Sequence, residues 1–276
     1  MRAVAAGVTD VGLQREHNED NFVVVPQHDL FVVADGMGGH QAGDVASRMA
    51  VEAIPAFFET VASEDVTWPF SFDPSLSEEE NRLVTGVRIA NQQIVALGSR
   101  SSEHQGMGTT VVASLFSPRR GRLYIAHVGD SRAYRIRDGK IEQITRDHSL
   151  VNDYLEAMPD MPEDQRSELP KNVITRALGM QEQVAVDVGS FDAQVGDLYL
   201  LCSDGLSGMV EDDELCEIAT ASDDLLELCQ SFVNRANEHG GEDNVTVVLI
   251  RVEDVSLDET RATIPDHFAS GLPSRG

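Results

Sequence analysis

Acidic side chains stand at the ends of apolar runs along this chain. Asp35 closes Leu30-Phe31-Val32-Val33-Ala34 and opens Gly36-Met37-Gly38-Gly39. Asp204 comes just after Leu198-Tyr199-Leu200-Leu201-Cys202 and precedes Gly205. Asp130 follows Ala126-His127-Val128-Gly129, Asp243 stands before Val245–Ile250, and Glu19-Asp20 precedes Phe22–Pro26. A carboxylate at a strand end projects from a rigid element into the rim of the core, where oxygen ligands can hold a hard cation. A neighbouring glycine lets backbone carbonyls and water come close. Taken singly, Asp-Gly is an ordinary turn dipeptide. Carboxylates repeated at so many strand ends point to a shared cation site. Carboxylates, carbonyls and water suit magnesium or manganese.

Arg15 lies in Asp10-Val11-Gly12-Leu13-Gln14-Arg15-Glu16-His17-Asn18-Glu19-Asp20. Its planar fork can hold a phosphate whose other oxygens are neutralised by cations. The plainer alternative is a surface ion pair.

The elements that must position these groups are legible as periodicities. Arg2–Val8, Phe22–Pro26 and Leu30–Ala34 read as strands, the last two valine-rich. From about Ala42 to Val61, apolar positions recur at three and four and predict a helix, with a kink at Pro55. Ser77-Glu78-Glu79-Glu80 has the form of a capping box and opens a second helix with Leu83, Val87, Ala90, Ile94 and Leu97 on one face. Gly106–Ser117, Leu123–Val128 and Arg132–Arg137 read as strands, and Asp138-Gly139 turns the chain into Lys140–Ile144. Strands resume at Val184–Phe191 and Asp197–Cys202. Ser222 is expected to cap a helix striped by Leu225, Leu228, Cys229, Phe232, Val233 and Ala236, and Val245–Val252 is the last strand. Hairpin-rich order with intervening helices suits antiparallel sheets covered by helices, an α+β arrangement.

The chain has 276 residues, enough for one large domain or two small ones, and its 41% hydrophobic and 25% charged residues are ordinary for a globular protein. Its formal net charge of -26 is not. Such a charge opposes binding to nucleic acid or to an anionic membrane surface. No run reaches the roughly 18 apolar residues of a membrane span. Val4-Ala5-Ala6 is too short for a secretory core. Cys202, Cys216 and Cys229 have no C-x-x-C spacing, and Cys202 and Cys229 read as core thiols of a reducing compartment. A cytoplasmic protein is expected.

Six segments occur in order: Asp10-x-Gly12-x-x-Arg15-x-x-Asn18-Glu19-Asp20, Asp35-Gly36-Met37-Gly38-Gly39, Gly108-Thr109-Thr110, Val128-Gly129-Asp130-Ser131-Arg132, Ser203-Asp204-Gly205-Leu206 and Asp243-Asn244-Val245-Thr246. Together they resemble the metal-dependent protein phosphatases of type 2C, especially bacterial members, over nearly all of Arg2 to Val252. The resemblance implies one catalytic domain over 1–252, a four-layer α-β-β-α sandwich with two central antiparallel sheets, followed by a polar tail over 253–276. It implies hydrolysis of phosphoserine and phosphothreonine on proteins by a water held between two Mn2+ or Mg2+ ions, with no phosphoenzyme. Asp35 would bridge the two metals. Asp204 and Asp243 would complete one shell; Glu19 and the Gly36 carbonyl would serve the other. Asp20 matches a position acting through metal-bound water, and Asp130, with Asp204, matches a third-metal site. Arg15 matches the residue that binds substrate phosphate. Phosphorylated proteins, among them serine/threonine kinases and their targets, are the implied partners of a monomer.

One departure concerns the leaving group. Many eukaryotic relatives place a histidine after the Asp-Gly; this chain has Met37, which cannot transfer a proton. A metal-bound water or His40 is left for that role. Thr145–Gly179 matches the family's flap, expected to be mobile and to influence substrate choice, or else to form a packed helical excursion. Two other classes compete: a phosphoprotein-binding module of the same fold without catalysis, and an ATP-binding domain suggested by Asp35-Gly36-Met37-Gly38. The complete carboxylate set opposes the first. The second leaves Asp130, Asp204 and Asp243 without a role.

Overall fold

The computed structural model describes residues 1–38, 42–63, 70, 72–159, 161–162, 165, 169–170 and 173–255. One antiparallel sheet joins β1 (Arg2–Asp10), β11 (Val245–Glu253), β10 (Leu198–Cys202), β7 (Arg132–Arg137) and β8 (Lys140–Gln143), in that order. The other joins β2 (Asp20–Val25), β3 (Leu30–Met37), β5 (Val111–Ser117), β6 (Arg122–Val128) and β9 (Asp187–Asp192), with the short β4 (Gly108–Thr109) paired to the end of β3. Two long helices, α1 (Ala42–Ser63) and α2 (Glu78–Gly98), cover the second sheet. On the first sheet lie α4 (Asp204–Ser207), α5 (Asp212–Ala219) and α6 (Leu225–Glu238). The chain is therefore the expected four-layer α-β-β-α sandwich.

The apolar runs have a physical origin in this layering, because the central strands are buried on both faces. In β3, Leu30, Val32 and Ala34 face the α1–α2 layer while Phe31 and Val33 face the opposite sheet. In β11, Val245, Val247 and Leu249 pack toward the C-terminal helices while Val248, Ile250 and Val252 enter the inter-sheet core. In β3 and β10 the charged side chains stand only near or past the strand ends. Chemistry is pushed to the rim.

The capping box at Ser77 is present: Glu80 N–H donates to Ser77 Oγ, and Glu80 Oε2 accepts from Ser77 N–H at 2.7 Å. Pro55 lies inside α1, which continues to Ser63. Several boundaries differ from the sequence reading. The α6 cap is Asp224, whose Oδ1 accepts from the N–H groups of Leu226 and Glu227. Ser222 instead accepts from Asp224 N–H and donates to Glu227, tightening the turn before the helix. The strand expected from Val184 begins at Asp187, with Val184 and Val186 packed on the core outside it. Asp204, read as closing the strand Leu198–Cys202, is the first residue of the one-turn α4 that follows it. Within the flap, α3 (Leu150–Ala157) is capped by Ser149. His40, part of the flap and residues 256–276 of the expected tail lie outside the described residues. No helix among the described residues is long and apolar enough to cross a membrane.

Candidate metal centre

The strand ends bring the predicted carboxylates together. Asp20 and Asp35 are direct cross-strand partners in the β2–β3 pair. Like charges opposite one another destabilise a sheet, so this register calls for a compensating cation or proton. Asp204 comes in just past the end of β10, close enough to Asp35 to raise its pKa. Asp130 sits in the β6–β7 connection, close enough to raise the pKa of Asp35 and to have its own raised by Asp204. Asp243 precedes β11 and repels both Asp20 and Asp204.

Without a cation, this crowding favours protons. Burial, then repulsion from Asp204 and Asp243, pushes Asp20 up to about 7 against the Ser203 and Thr246 hydroxyls. Burial, then Asp204, brings Asp130 to about 7. Asp35 is held well above the usual carboxylate range by burial and by Asp20, Asp204 and Asp130. Asp204 is raised by burial and Asp243, and Glu19 is raised chiefly by burial. Asp20 Oδ2 and Asp130 Oδ1 are buried with no hydrogen-bond partner among the described residues. A buried carboxylate oxygen left without a donor is costly and needs an explanation. A hard divalent cation supplies one, and the all-oxygen donor set fits magnesium or manganese.

The backbone is shaped for the same purpose. A Cβ on Gly36 would stand 2.2 Å from Gly43 O and 2.5 Å from Glu19 O, so only glycine fits there. Gly36 N–H donates to Glu19 O at 3.1 Å, fixing the Glu19 and Gly36 peptides side by side. Asp35 is fastened through its own main chain: its N–H donates to Thr110 Oγ1, and its carbonyl accepts from the Thr109 hydroxyl and Thr110 N–H, the last two at 2.8 Å. Asn244 clamps the Arg15 segment: its Nδ2 donates to Val11 O and His17 O, and its Oδ1 accepts from Glu19 N–H. Asn244 sits inside a sequence motif, but its clamping role depends on contacts across more than 200 residues.

A cavity of about 480 Å³ opens over the centre, lined by Arg15, Glu19, Asp35, Gly36, Asp204 and Asp243. Glu16, His17, Met37 and Ile174 complete much of its wall, and sequence reasoning had assigned none of these to binding. Asp20 and Asp130 are not part of the wall. Arg15 reaches across the mouth, with Nη2 donating to Asp243 Oδ2 at 2.6 Å and Nε to Glu242 O at 3.4 Å. The anticipated phosphate fork is thus engaged with one of the anticipated ligands.

Comparison with known proteins agrees with this geometry. Residues 14–249 match the family model described as protein phosphatase 2C. The chain belongs to the protein phosphatase 2C family. As a member of it, the chain is an enzyme, a protein phosphatase whose chemistry depends on divalent metal. It is 40% identical to the serine/threonine phosphatase stp of Listeria monocytogenes over 246 residues, 88% of this chain and 93% of that protein. It is 35% identical to the protein phosphatase PhpP of Streptococcus pneumoniae over 251 residues, 90% and 96% of the two chains. Its fold matches the crystal structure of the Mycobacterium tuberculosis serine/threonine phosphatase PstP/Ppp with a TM-score of 0.79 at 35% identity, covering 92% of this chain and all of that one. A structure of the PstP catalytic domain in complex with two manganese ions matches with a TM-score of 0.76 at 34% identity, covering 91% and 99%. Family membership also disposes of the ATP-binding alternative.

Proposed function

We propose that this protein phosphatase 2C member removes phosphate from phosphoserine and phosphothreonine in proteins, using two Mn2+ or Mg2+ ions, with a third at an added position. The observation that carries the reading is a converging set of mutually repelling carboxylates, two of them with buried, unpartnered oxygens. In this reading Asp35 bridges two cations. Asp204 and Asp243 complete one shell, and Glu19 and the Gly36 carbonyl serve the other. Asp20 acts through water, and Asp130 with Asp204 forms the third position. Bound there, the cations supply Lewis acidity and bring the ionisation of water near neutral pH, so phosphorus is attacked directly.

The residues themselves do the positioning. Arg15 shares the Asp243 carboxylate with the metal position, so neutralising that carboxylate frees the guanidinium fork for two phosphoryl oxygens. The rigid Asp35 backbone, tied to Thr109 and Thr110, holds the bridging carboxylate in place as charge moves onto phosphorus. Met37 offers no proton to the leaving oxygen. Substrates of this reading are phosphorylated proteins, including serine/threonine kinases and their targets. The free cysteines, two of them buried, suit a reducing compartment, and we place the enzyme in the cytoplasm as a monomer.

The test is phosphate release from a phosphothreonine peptide with Mn2+, with and without a chelator. Release should stop on full metal removal and return on adding Mn2+; undiminished turnover after chelation overturns the mechanism. Arg15→Ala should raise KM for the peptide about tenfold, the loss of one charge-assisted contact.

A further inference from the structure

His127, His148 and Asp187 form a second cluster of metal-capable side chains, outside the aspartate centre. Its geometry argues against a metal. The two imidazoles are stacked, with centroids 4.8 Å apart and planes within 13°. Ring-nitrogen lone pairs lie in the ring planes, so in parallel rings they do not converge on one ion. The nitrogens are also in use: His127 Nε2 meets Arg146 O at 2.9 Å, and His148 Nδ1 accepts from Gly129 N–H at 3.0 Å. Arg176 Nη1 donates to Asp187 Oδ1 at 2.8 Å and already supplies the cluster's cation.

The hydrogen bonds themselves have a direction. Because Nδ1 of His148 accepts, the ring proton is on Nε2, which lies 3.2 Å from both Asp187 Oδ2 and Arg176 Nη1. The His148 main-chain N–H donates to Gly129 O at 2.9 Å. One residue therefore grips both polar groups of Gly129, immediately before Asp130. On its other side Gly129, at φ +109°, is pressed against Thr110, where a Cβ would come within 2.6 Å of the Thr110 side chain. Thr110 is the residue fastened to Asp35. Beyond Asp130, Arg132 is held by the next flap residue, Asp147, through contacts of 2.8–3.1 Å. The short loop carrying Asp130 is thus clamped on both sides by residues 147–148.

We propose that His148 is a positioning residue: its imidazole, accepting at Nδ1 from the Gly129 amide, sets the Gly129 peptide and so aims the Asp130 carboxylate at the metal centre. This rests on Asp130 being a metal ligand, as in the function proposed above. Removing a group that orients a ligand typically costs 10–100-fold in metal affinity.

The test compares His148→Leu with His148→Asn, two side chains of similar size. Only asparagine places an acceptor, Oδ1, where Nδ1 stood. Manganese binding to the metal-free protein is followed by calorimetry, beside melting and p-nitrophenyl phosphate kinetics. His148→Leu should weaken one Mn2+ step about tenfold or more, lower kcat at limiting Mn2+ and leave KM within about twofold. His148→Asn should recover most of that affinity. Folded His148→Leu binding Mn2+ like the wild type, or an asparagine variant no better than leucine, overturns the proposal. Asp130→Asn separates the two ideas: if it leaves every Mn2+ step unchanged, the ligand role of Asp130 fails first. Should His148→Leu not fold, nitrogen NMR of the wild type decides. An Nδ1–H imidazole at His148, or rapid exchange of the Gly129 amide, refutes the clamp.

Discussion

Two aspartates flank the strand β10, one buried and one half-buried, and they have opposite surroundings. Asp197, just before Leu198, is 1% exposed and fully partnered. Arg137 donates to it from Nε and Nη2 at 2.6 and 2.5 Å, Gln194 N–H at 2.8 Å and the Tyr199 hydroxyl at 3.2 Å. Asp204, past the other end, meets Asp35, Asp243 and Asp20, all of its own sign. Burial of an acid is therefore not a sign of function. Around Asp197 the protein supplies the positive charge and the donors; around Asp204 repulsion from acidic neighbours and burial outweigh Arg15 and Arg132.

Mutations at the two ends should behave in opposite ways. Asp204→Ala should lower phosphate release by about 10³-fold or more, some 4 kcal/mol of transition-state stabilisation. The melting point of the metal-free protein should hold or rise, since a repelling charge is gone. A metal-free melting point that falls sharply would make Asp204 a structural acid like Asp197. Asp197→Ala should do the reverse. It leaves Arg137 and two further donors unpaired at a cost of about 3 kcal/mol, the low end for a buried pair because Arg137 is partly exposed. Thermal melting should drop by roughly 6–12 °C, while kcat of the folded fraction is kept.

The smallest effect is in pH. Asp20 and Asp130 have folded pKa values raised from 3.8 to about 7. The folded state then binds more protons than the unfolded one between those values, so this contribution to stability is complete below 3.8 and lost as pH rises through about 7. In chelator, melting should fall between pH 5 and 8, and Mn2+ should add most stability at the alkaline end. Asp20→Asn should flatten the decline; an equally steep profile in that variant would dissociate the slope from the metal centre.

Much of this was legible in the sequence, for reasons that can be named. Strands buried on both faces produce uninterrupted apolar runs, so Leu30–Ala34 and Leu198–Cys202 declare themselves, and the acids that close them stand out. The capping box at Ser77 is local chemistry and reads directly. What failed was decided by geometry. Ser222 and Asp224 are both good caps, and only the entry angle of α6 selects the second. The Arg15–Asp243 pair joins residues 228 positions apart. His148, within the Thr145–Gly179 segment, gave no sign that its ring would hold Gly129, because that contact depends on how the flap folds back on β6.

The Arg15–Asp243 contact has a thermodynamic consequence. One carboxylate serves two cations in competition, a guanidinium and a divalent ion. An anion that draws Arg15 away leaves Asp243 open, and an ion on Asp243 leaves Arg15 open. Linkage makes such effects reciprocal. Inorganic phosphate, the product, should therefore tighten metal binding by the same factor by which metal tightens phosphate, a cooperativity that needs no direct contact between the two ligands.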